Sequence, residues 1–218
     1  MPNNIIAFCG RKESGKTELA NICVDFGYEK LSFATPLKKL IAQLISCEII
    51  DINRLKNIET VYEFDEDKCV FIAQETNIPY EIVVEKILNK TFTTVRELLQ
   101  YIGTDLIRHY NPNWHVMKTA ECIQKGKKYV IDDVRFPNEA NMVNEMGGDC
   151  WFIVRPKLDN ISNHESETSL KWQDFDKVIV NDKTIASLIL YIFVHHGWEA
   201  RLWNGSIRFI PMKKETKS

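Results

Sequence analysis

The chain has 218 residues, 44% of them hydrophobic, which suffices for one α/β domain with a full core and is short for two. Lys and Arg (28) nearly balance Asp and Glu (30), a formal net charge of −2, so no broad basic field favours nucleic acid and no nucleic-acid partner is expected. No apolar run approaches the ~20 residues that span a bilayer, and Asn3 and Asn4 lead straight into an apolar run without a signal-peptide layout. The reading is a cytoplasmic protein without membrane contact.

Ile5 to Cys9 is short, apolar and partly β-branched, as a strand buried on both faces should be. Gly10-Arg11-Lys12-Glu13-Ser14-Gly15-Lys16-Thr17 then satisfies the phosphate-loop pattern G-x-x-x-x-G-K-[ST]. Leu19, Ile22, Cys23 and Phe26 follow at i, i+3, i+4 and i+7, one face of a helix, so the flanks supply the order strand, loop, helix. Main-chain N–H groups wrap a polyphosphate only where no Cβ intervenes, which Gly10 and Gly15 allow, and the helix opening near Lys16 adds its positive dipole end. Lys16 would reach the β- and γ-phosphates, and Thr17 would place its hydroxyl on Mg²⁺.

Gly27 ends the first helix, and Lys30 to Phe33 reads as a second short strand. Thr35 is the expected N-cap and Pro36 a first-turn residue of a helix whose stripe is Leu37, Leu40, Ile41, Leu44 and Ile45. Lys38 in that first turn opposes the helix dipole unless an anion lies nearby; it is either part of a second anion site or a solvated lysine. Residues 47–90, predominantly acidic from Asp51 to Asp67 with a weak helical pattern through Ile82, Val83 and Ile87, read as a partly helical excursion from the main sheet.

Thr94 with Glu97 forms a capping box for a helix with the stripe Val95, Leu98, Leu99, Ile102 and Leu106. Arg96 and Gln100 are one turn apart and Gly103 another turn on, a face offering a guanidinium, an amide and a position without a side chain. Such a face suits a small planar substrate carrying a phosphate, with Arg108 as a further contributor; the alternative is that Arg96 pairs with Glu97 or another neighbour on the surface. Trp114 to Gln124 reads as helical, with Trp114 better placed in the core than stacked on a base. Tyr129-Val130-Ile131 is a buried strand running into Asp132-Asp133-Val134-Arg135, where a carboxylate beside a phosphate loop can hold Mg²⁺ through its water shell. Phe136-Pro137-Asn138-Glu139 opens the next helix, which Gly147-Gly148 ends.

Cys150 to Val154 is a further strand, leading through Arg155-Pro156 into a polar loop with His164, Glu165, Ser166 and Glu167 that would close over bound phosphates, Arg155 supplying charge from its base. Val178-Ile179-Val180 reads as the last strand, and Asn181 to Thr184 as the cap of a helix with the stripe Ile185, Leu188, Ile189, Ile192 and Phe193. Asn204-Gly205 between apolar runs marks a hairpin over 198–211, aromatic enough to pack on the domain or on a second subunit, so a homodimer is one expectation. The cysteines (Cys9, Cys23, Cys47, Cys69, Cys122 and Cys150) are scattered, show no C-x-x-C, and read as reduced packing residues. Alternating strands and helices imply a single α/β domain over 1–218: a parallel five-stranded sheet with helices on both faces and ligands at the strand C-terminal ends.

Taken together, Gly10 to Thr17, Ser32 to Lys38, Thr94 to Gly103 with Thr104 and Arg108, Asp133-Val134-Arg135-Phe136-Pro137-Asn138-Glu139-Ala140, Arg155-Pro156, and His164 with Ser166-Glu167 resemble the bacteriophage-type deoxynucleoside monophosphate kinases, in that family's order. The resemblance implies a P-loop nucleoside monophosphate kinase fold; residues 47–90, which none of these motifs covers, are read as an acceptor-side insertion, and the loop around His164 as lid-like. It also implies transfer of the ATP γ-phosphoryl group to a deoxynucleoside 5′-monophosphate, in the host cytoplasm if the gene is viral. By the same resemblance the ATP site maps onto Gly10, Lys12, Ser14, Gly15, Lys16 and Thr17, and the Mg²⁺ side onto Thr17 and Asp133. The acceptor region maps onto Lys38, Arg96, Gln100 and Arg135, to which Arg108 is added from its place beyond the Arg96 face, and Lys16, Asp133, Arg135 and Arg155 are the residues expected to serve the transfer itself. Asp132 departs from the small polar residue expected there, which leaves the division of labour between the two aspartates open. The chemistry agrees, because a nucleoside monophosphate brings an oxygen already ionised near neutral pH (second pKa about 6) and needs no general base. The competing readings are a P-loop ATPase or nucleotide-regulated binding module, and a kinase for another phosphorylated metabolite.

Overall fold

Ile5, Ile6, Ala7, Phe8 and Cys9 are all buried, as only a strand covered on both faces can be. They form the first strand of a computed structural model that describes residues 4–155, 170–175, 177–181, 198–203 and 206–211. The elements follow as β1 (Asn4–Cys9), α1 (Lys16–Asp25), β2 (Glu29–Leu31), α2 (Thr35–Leu44), α3 (Asp51–Leu55), β3 (Tyr62–Glu63), α4 (Glu66–Thr76), α5 (Tyr80–Ile87) and β4 (Thr91–Phe92). Next come α6 (Val95–Gln100), a π-helix (Tyr101–Arg108), α7 (Trp114–Ala120), β5 (Lys128–Val134), α8 (Pro137–Glu145), β6 (Asp149–Val154), β7 (Lys177–Val180), β8 (Trp198–Trp203) and β9 (Ser206–Pro211). No described helix is long and apolar enough to cross a membrane. The chain divides into two compact units, Met1–Lys30 with Gly126–Ser218, and Leu31–Lys125.

The first unit holds the five-stranded sheet, in the order β2-β5-β1-β6-β7. β1 runs parallel to β5 (Ile5 opposite Tyr129) and to β6 (Ala7 opposite Cys150), and β6 runs parallel to β7 (Ile153 opposite Ile179). The crossover from β1 to β2 and that from β5 to β6 run in opposite directions across the sheet, so right-handed connections put α1 and α8 on opposite faces. On the α1 face lies a core of Ile6, Phe8, Leu19, Cys23, Val130, Trp151, Ile153 and Ile179, each large apolar side chain contributing about 1.5–3 kcal/mol by burial. Strand order reverses beside β1, which makes the carboxyl ends of β1, β5 and β6 the crevice for a ligand. β8 and β9 pair antiparallel from Trp198 opposite Pro211 to Trp203 opposite Ser206, the hairpin expected from Asn204-Gly205.

The second unit is helical around Leu40, Ile41, Ile52, Ile72, Val83, Ile87, Leu98, Ile102 and Leu106, all buried. The segment read as a partly helical excursion comprises α3, α4 and α5, with a short β3–β4 ladder that pairs Tyr62 with Phe92. Its acidity is partly capping chemistry: Asp65 accepts from the Lys68 backbone N–H (2.9 Å), and Glu66 and Asp67 sit in the first turn of α4, at its positive end.

Three local readings are revised here. The second strand stops at Leu31, because the Ser32 hydroxyl accepts from the Ala34 N–H (3.2 Å) and turns the chain, so α2 is capped at Ala34 rather than Thr35. The helix from Trp114 ends at Ala120, short of Gln124. The helix from Val95 does not continue as an α-helix past Gln100 but changes to i→i+5 bonding over Tyr101–Arg108. The expected helix with the stripe Ile185 to Phe193 and the lid-like loop around His164 lie outside the described residues.

Candidate active site

The loop between β1 and α1 is shaped by close contacts on its outer side. Gly10 has φ +135°, and a Cβ there would stand 2.4 Å from the Ile153 carbonyl oxygen of β6; Gly15 has φ +104°, and a Cβ there would meet Asn181 Nδ2 at 2.8 Å. Both positions therefore require glycine for the fold of the loop itself, quite apart from any ligand. Glu13 also takes a positive φ, 65°. Three bonds hold the loop: Ser14 N–H to the Arg11 carbonyl (3.2 Å), Asn181 Nδ2 to the Ser14 carbonyl (2.7 Å), and Arg155 Nη1 to the Glu13 carbonyl (2.8 Å). The Lys16 ammonium lies across the loop, donating to the carbonyls of Gly10 (2.7 Å) and Arg11 (2.5 Å).

In front of the loop is a cleft of about 330 Å³, lined among others by Gly10, Lys12, Lys16, Thr17, Asp133 and Arg135. Ser14 is buried beneath it. Cys9 also borders the cleft, but burial pushes its thiol up to about 12, so it is inert packing there. The cleft thus combines the lysines Lys12 and Lys16, the Arg135 guanidinium and several oxygen donors, among them the Thr17 hydroxyl and the Asp133 carboxylate. Those two suit a small hard cation that keeps most of its water and borrows its remaining ligands from phosphate.

Asp132 and Asp133 both border this cleft and are not equivalent. Asp132 Oδ2 is taken by the Lys30 ammonium at 2.7 Å, with the carboxylate side chain only 11% exposed. A second carboxylate, Glu139, is fully buried at the start of α8, where Oε2 accepts from the backbone N–H groups of Arg135 (2.8 Å) and Phe136 (3.2 Å). Glu139 therefore fixes the main chain that carries Arg135, while Pro137 occupies the first turn, where no N–H is needed. This accounts for Pro137 and Glu139 within the block from Asp133 to Ala140.

The other candidate residues belong to the second unit. Lys38 is half-buried on the first turn of α2, Arg108 is half-buried at the end of the π-helix, and Arg96 and Gln100 are exposed on α6. Arg96 does pair with a neighbour: its Nε donates to Asn57 Oδ1 (2.9 Å) and its backbone N–H to the Lys56 carbonyl (3.0 Å). Glu97 is occupied with the cap, accepting from the Thr93 N–H (2.8 Å) while its own N–H donates to Thr94 Oγ1 (3.1 Å). Gly103 is not an open position on the Arg96 face. It is buried, and a Cβ would stand 2.4 Å from Leu37 Cδ2, so the glycine lets the π-helix approach α2. Trp114 is in the core, its indole N–H donating to the Glu75 carbonyl (2.7 Å).

Asn181, Lys30 and Glu139 were not singled out as site residues by pattern. Glu139 had a local signal, the spacing from Phe136. Asn181 and Lys30 had none, since their partners are 167 and 102 residues away.

The sequence profile of a family described as deoxynucleotide monophosphate kinase matches residues 42–192. A protein of Acanthamoeba polyphaga mimivirus named as a deoxynucleotide monophosphate kinase is 33% identical over 204 residues, covering 83% of this chain and 90% of that protein. The deoxynucleotide monophosphate kinase of Escherichia phage RB69 is 27% identical over 144 residues, covering 63% of this chain and 55% of its own length. Among solved structures, the dephospho-CoA kinase from Campylobacter jejuni superposes with a TM-score of 0.46 at 13% identity, over 89% of this chain and 96% of the other.

Proposed function

Because the chain belongs to the deoxynucleotide monophosphate kinase family, we propose that the cleft of the first unit binds ATP and Mg²⁺ and that Lys38, Arg96, Gln100, Arg108 and Arg135 hold the deoxynucleoside monophosphate. The two units are taken as parts of one kinase domain, with 47–90 as its acceptor-side insertion and 198–211 as a hairpin extension. The reaction supplies precursors for DNA synthesis in the cytoplasm, that of the host if the gene is viral.

The observation that carries this reading is the convergence of Lys16, Thr17, Asp133 and Arg135 on one cleft in front of the glycine loop. Lys16 is held over the loop by two carbonyls, so a phosphate entering the cleft meets an ammonium whose position is already set. Transfer of a phosphoryl group asks the protein mainly for alignment and for positive charge on the transferring oxygens. Lys16 and Arg135 supply that charge, and Glu139 holds the main chain at Arg135. Arg155 stiffens the loop through Glu13 and stands close to it as a further cation. Thr17 and Asp133, with water, would hold Mg²⁺, which would supply further positive charge to the phosphates. The acceptor oxygen is already ionised, so no side chain need remove a proton.

The test is an acceptor panel of dNMPs, NMPs and phosphorylated non-nucleotides on purified protein, with ADP release as the readout. Formation of ADP that requires both Mg²⁺ and a deoxynucleoside monophosphate, with a preference among bases, is the expected result. Equal ATP turnover with no acceptor would make the protein an ATPase, and a preferred non-nucleotide acceptor would make it a metabolite kinase.

A further inference from the structure

His115 lies on α7, is 3% exposed, and takes no part in the mechanism above. Its Nδ1 is 3.2 Å from the Phe33 carbonyl oxygen; Nε2 makes no hydrogen bond of good geometry among the described residues, and the Gly103 backbone of the π-helix lies near enough to the ring to act on it. Burial, with the nearby Arg108 guanidinium adding to it, lowers its pKa to about 4, so the ring is neutral near pH 7 and carries one proton. The Phe33 carbonyl oxygen can only accept, so the tautomer that makes this bond carries its proton on Nδ1.

Phe33 itself is buried and sits in the turn between Leu31 and α2, where the Ser32 hydroxyl bonds the Ala34 N–H and the Ser32 carbonyl the Thr35 N–H (3.1 Å). One helical turn later comes Lys38, whose N–H bonds the Ala34 carbonyl (3.1 Å). The Phe33 carbonyl is thus the point at which the entry to α2 is tied to an element 82 residues away. Arg108 is near enough to the same imidazole for its charge to act on it, so one ring touches or faces both cationic segments assigned to the acceptor. Buried polar groups are costly to leave without partners, and a leucine or phenylalanine would fill this site more cheaply.

We propose that His115 is a positioning residue of the acceptor site: by donating Nδ1–H to the Phe33 carbonyl it fixes the turn that presents Lys38, beside Arg108, to the phosphate of the incoming monophosphate. The proposal rests on the acceptor reading given under the proposed function, and it adds a residue that contacts neither substrate.

The experiment compares H115N, whose amide N–H falls near Nδ1, with H115Q, whose amide falls near Nε2, and with H115L. Calorimetric binding of the best dNMP of the panel is measured together with the KM for that acceptor and for ATP. H115L and H115Q are expected to raise the acceptor Kd and KM about five- to tenfold, the size of one lost net hydrogen bond, with the ATP KM moved less than twofold. H115N is expected to recover most of the loss. A merely structural histidine would lower the melting temperature in all three variants and move both KM values together. Equal acceptor KM in H115N and H115Q overturns the proposal, and so does an acceptor KM within twofold of wild type in H115Q. If H115L does not fold, the Asn and Gln pair decides alone. Wild-type protein that binds no dNMP removes the acceptor reading and this proposal with it, whereas normal wild-type binding with flat variants removes the proposal only.

Discussion

Gly10 and Gly103 are both glycines at which an added Cβ would stand 2.4 Å from another atom, yet they belong to different kinds of construction. At Gly10 the obstacle is a strand carbonyl, Ile153 O, and the backbone is left-handed at φ +135°. At Gly103 the obstacle is the far end of a leucine side chain, and the backbone is helical. In the first unit, then, the chemistry is built from main chain: a loop whose path is dictated by the strands behind it, with side chains at fixed points on that path. In the second unit the candidate residues ride on helices whose spacing is set by side-chain packing. The first kind of site is rigid and leaves a pattern in sequence; the second is adjustable and leaves little.

The comparison can be broken most severely at the cleft. Lys16→Ala and Asp133→Ala are each expected to lower kcat by about 10²–10³ with every acceptor, because they remove charge or metal placement at the transferring group. A steady-state assay across the acceptor panel checks this, and a loss confined to one acceptor would move the residue to the other substrate.

The next effect belongs to the second unit and concerns stability. His115 is neutral in the fold, with its pKa depressed from 6.5 to about 4, so the unfolded chain binds the extra proton first as pH falls. Above pH 6.5 this group costs nothing; from pH 6.5 down to 4 it should remove about 3 kcal/mol of stability, and below pH 4 no more. Urea denaturation of wild type against H115N over that range isolates the term, which should be missing in the asparagine variant.

The two glycines sharpen the contrast directly. Gly10→Ala should destabilise by about 3 kcal/mol, since neither the carbonyl nor the positive φ can yield cheaply. Gly103→Ala should cost no more than about 1 kcal/mol, because Leu37 can rotate and alanine favours a helix. Equal losses in chemical denaturation would erase the distinction drawn between the units.

Smaller effects are expected from single cations. Arg96→Ala should raise the acceptor KM about tenfold with kcat nearly unchanged, the mark of lost uniform binding; an unchanged KM would leave Arg96 as the surface partner of Asn57. Lys30→Met should weaken ATP binding by about three- to fivefold in the presence of EDTA, by freeing the Asp132 charge beside the phosphates, and Asp132→Asn in the same protein should restore it. Isothermal titration of the single and double variants measures this coupling.

Much of the first unit was legible before its structure was known, because its signals are local. The strand from Ile5, the glycines, Lys16 and Thr17, the apolar runs at Tyr129 and Cys150, and the helix opening at Pro137 all lie within a few residues of what defines them. In the second unit α2 and α6 were legible in their stripes, and Thr94 with Glu97 in its cap, for the same reason, whereas α3 and α4 left no such stripe. What was misread there, the continuation of α6 and the purpose of Gly103, turned on how one helix meets another.

Sequence by itself determined where many chain segments become strand or helix and which loop carries the glycine pattern, since both depend on spacings of three to seven residues and on the absence of a Cβ. Only the tertiary structure decided that Lys30 claims Asp132, that Asn181 and Arg155 brace the loop, and that His115 holds Phe33. Those bonds join residues 82 to 167 positions apart, and no periodicity records a partner that folding alone brings within 3 Å or so.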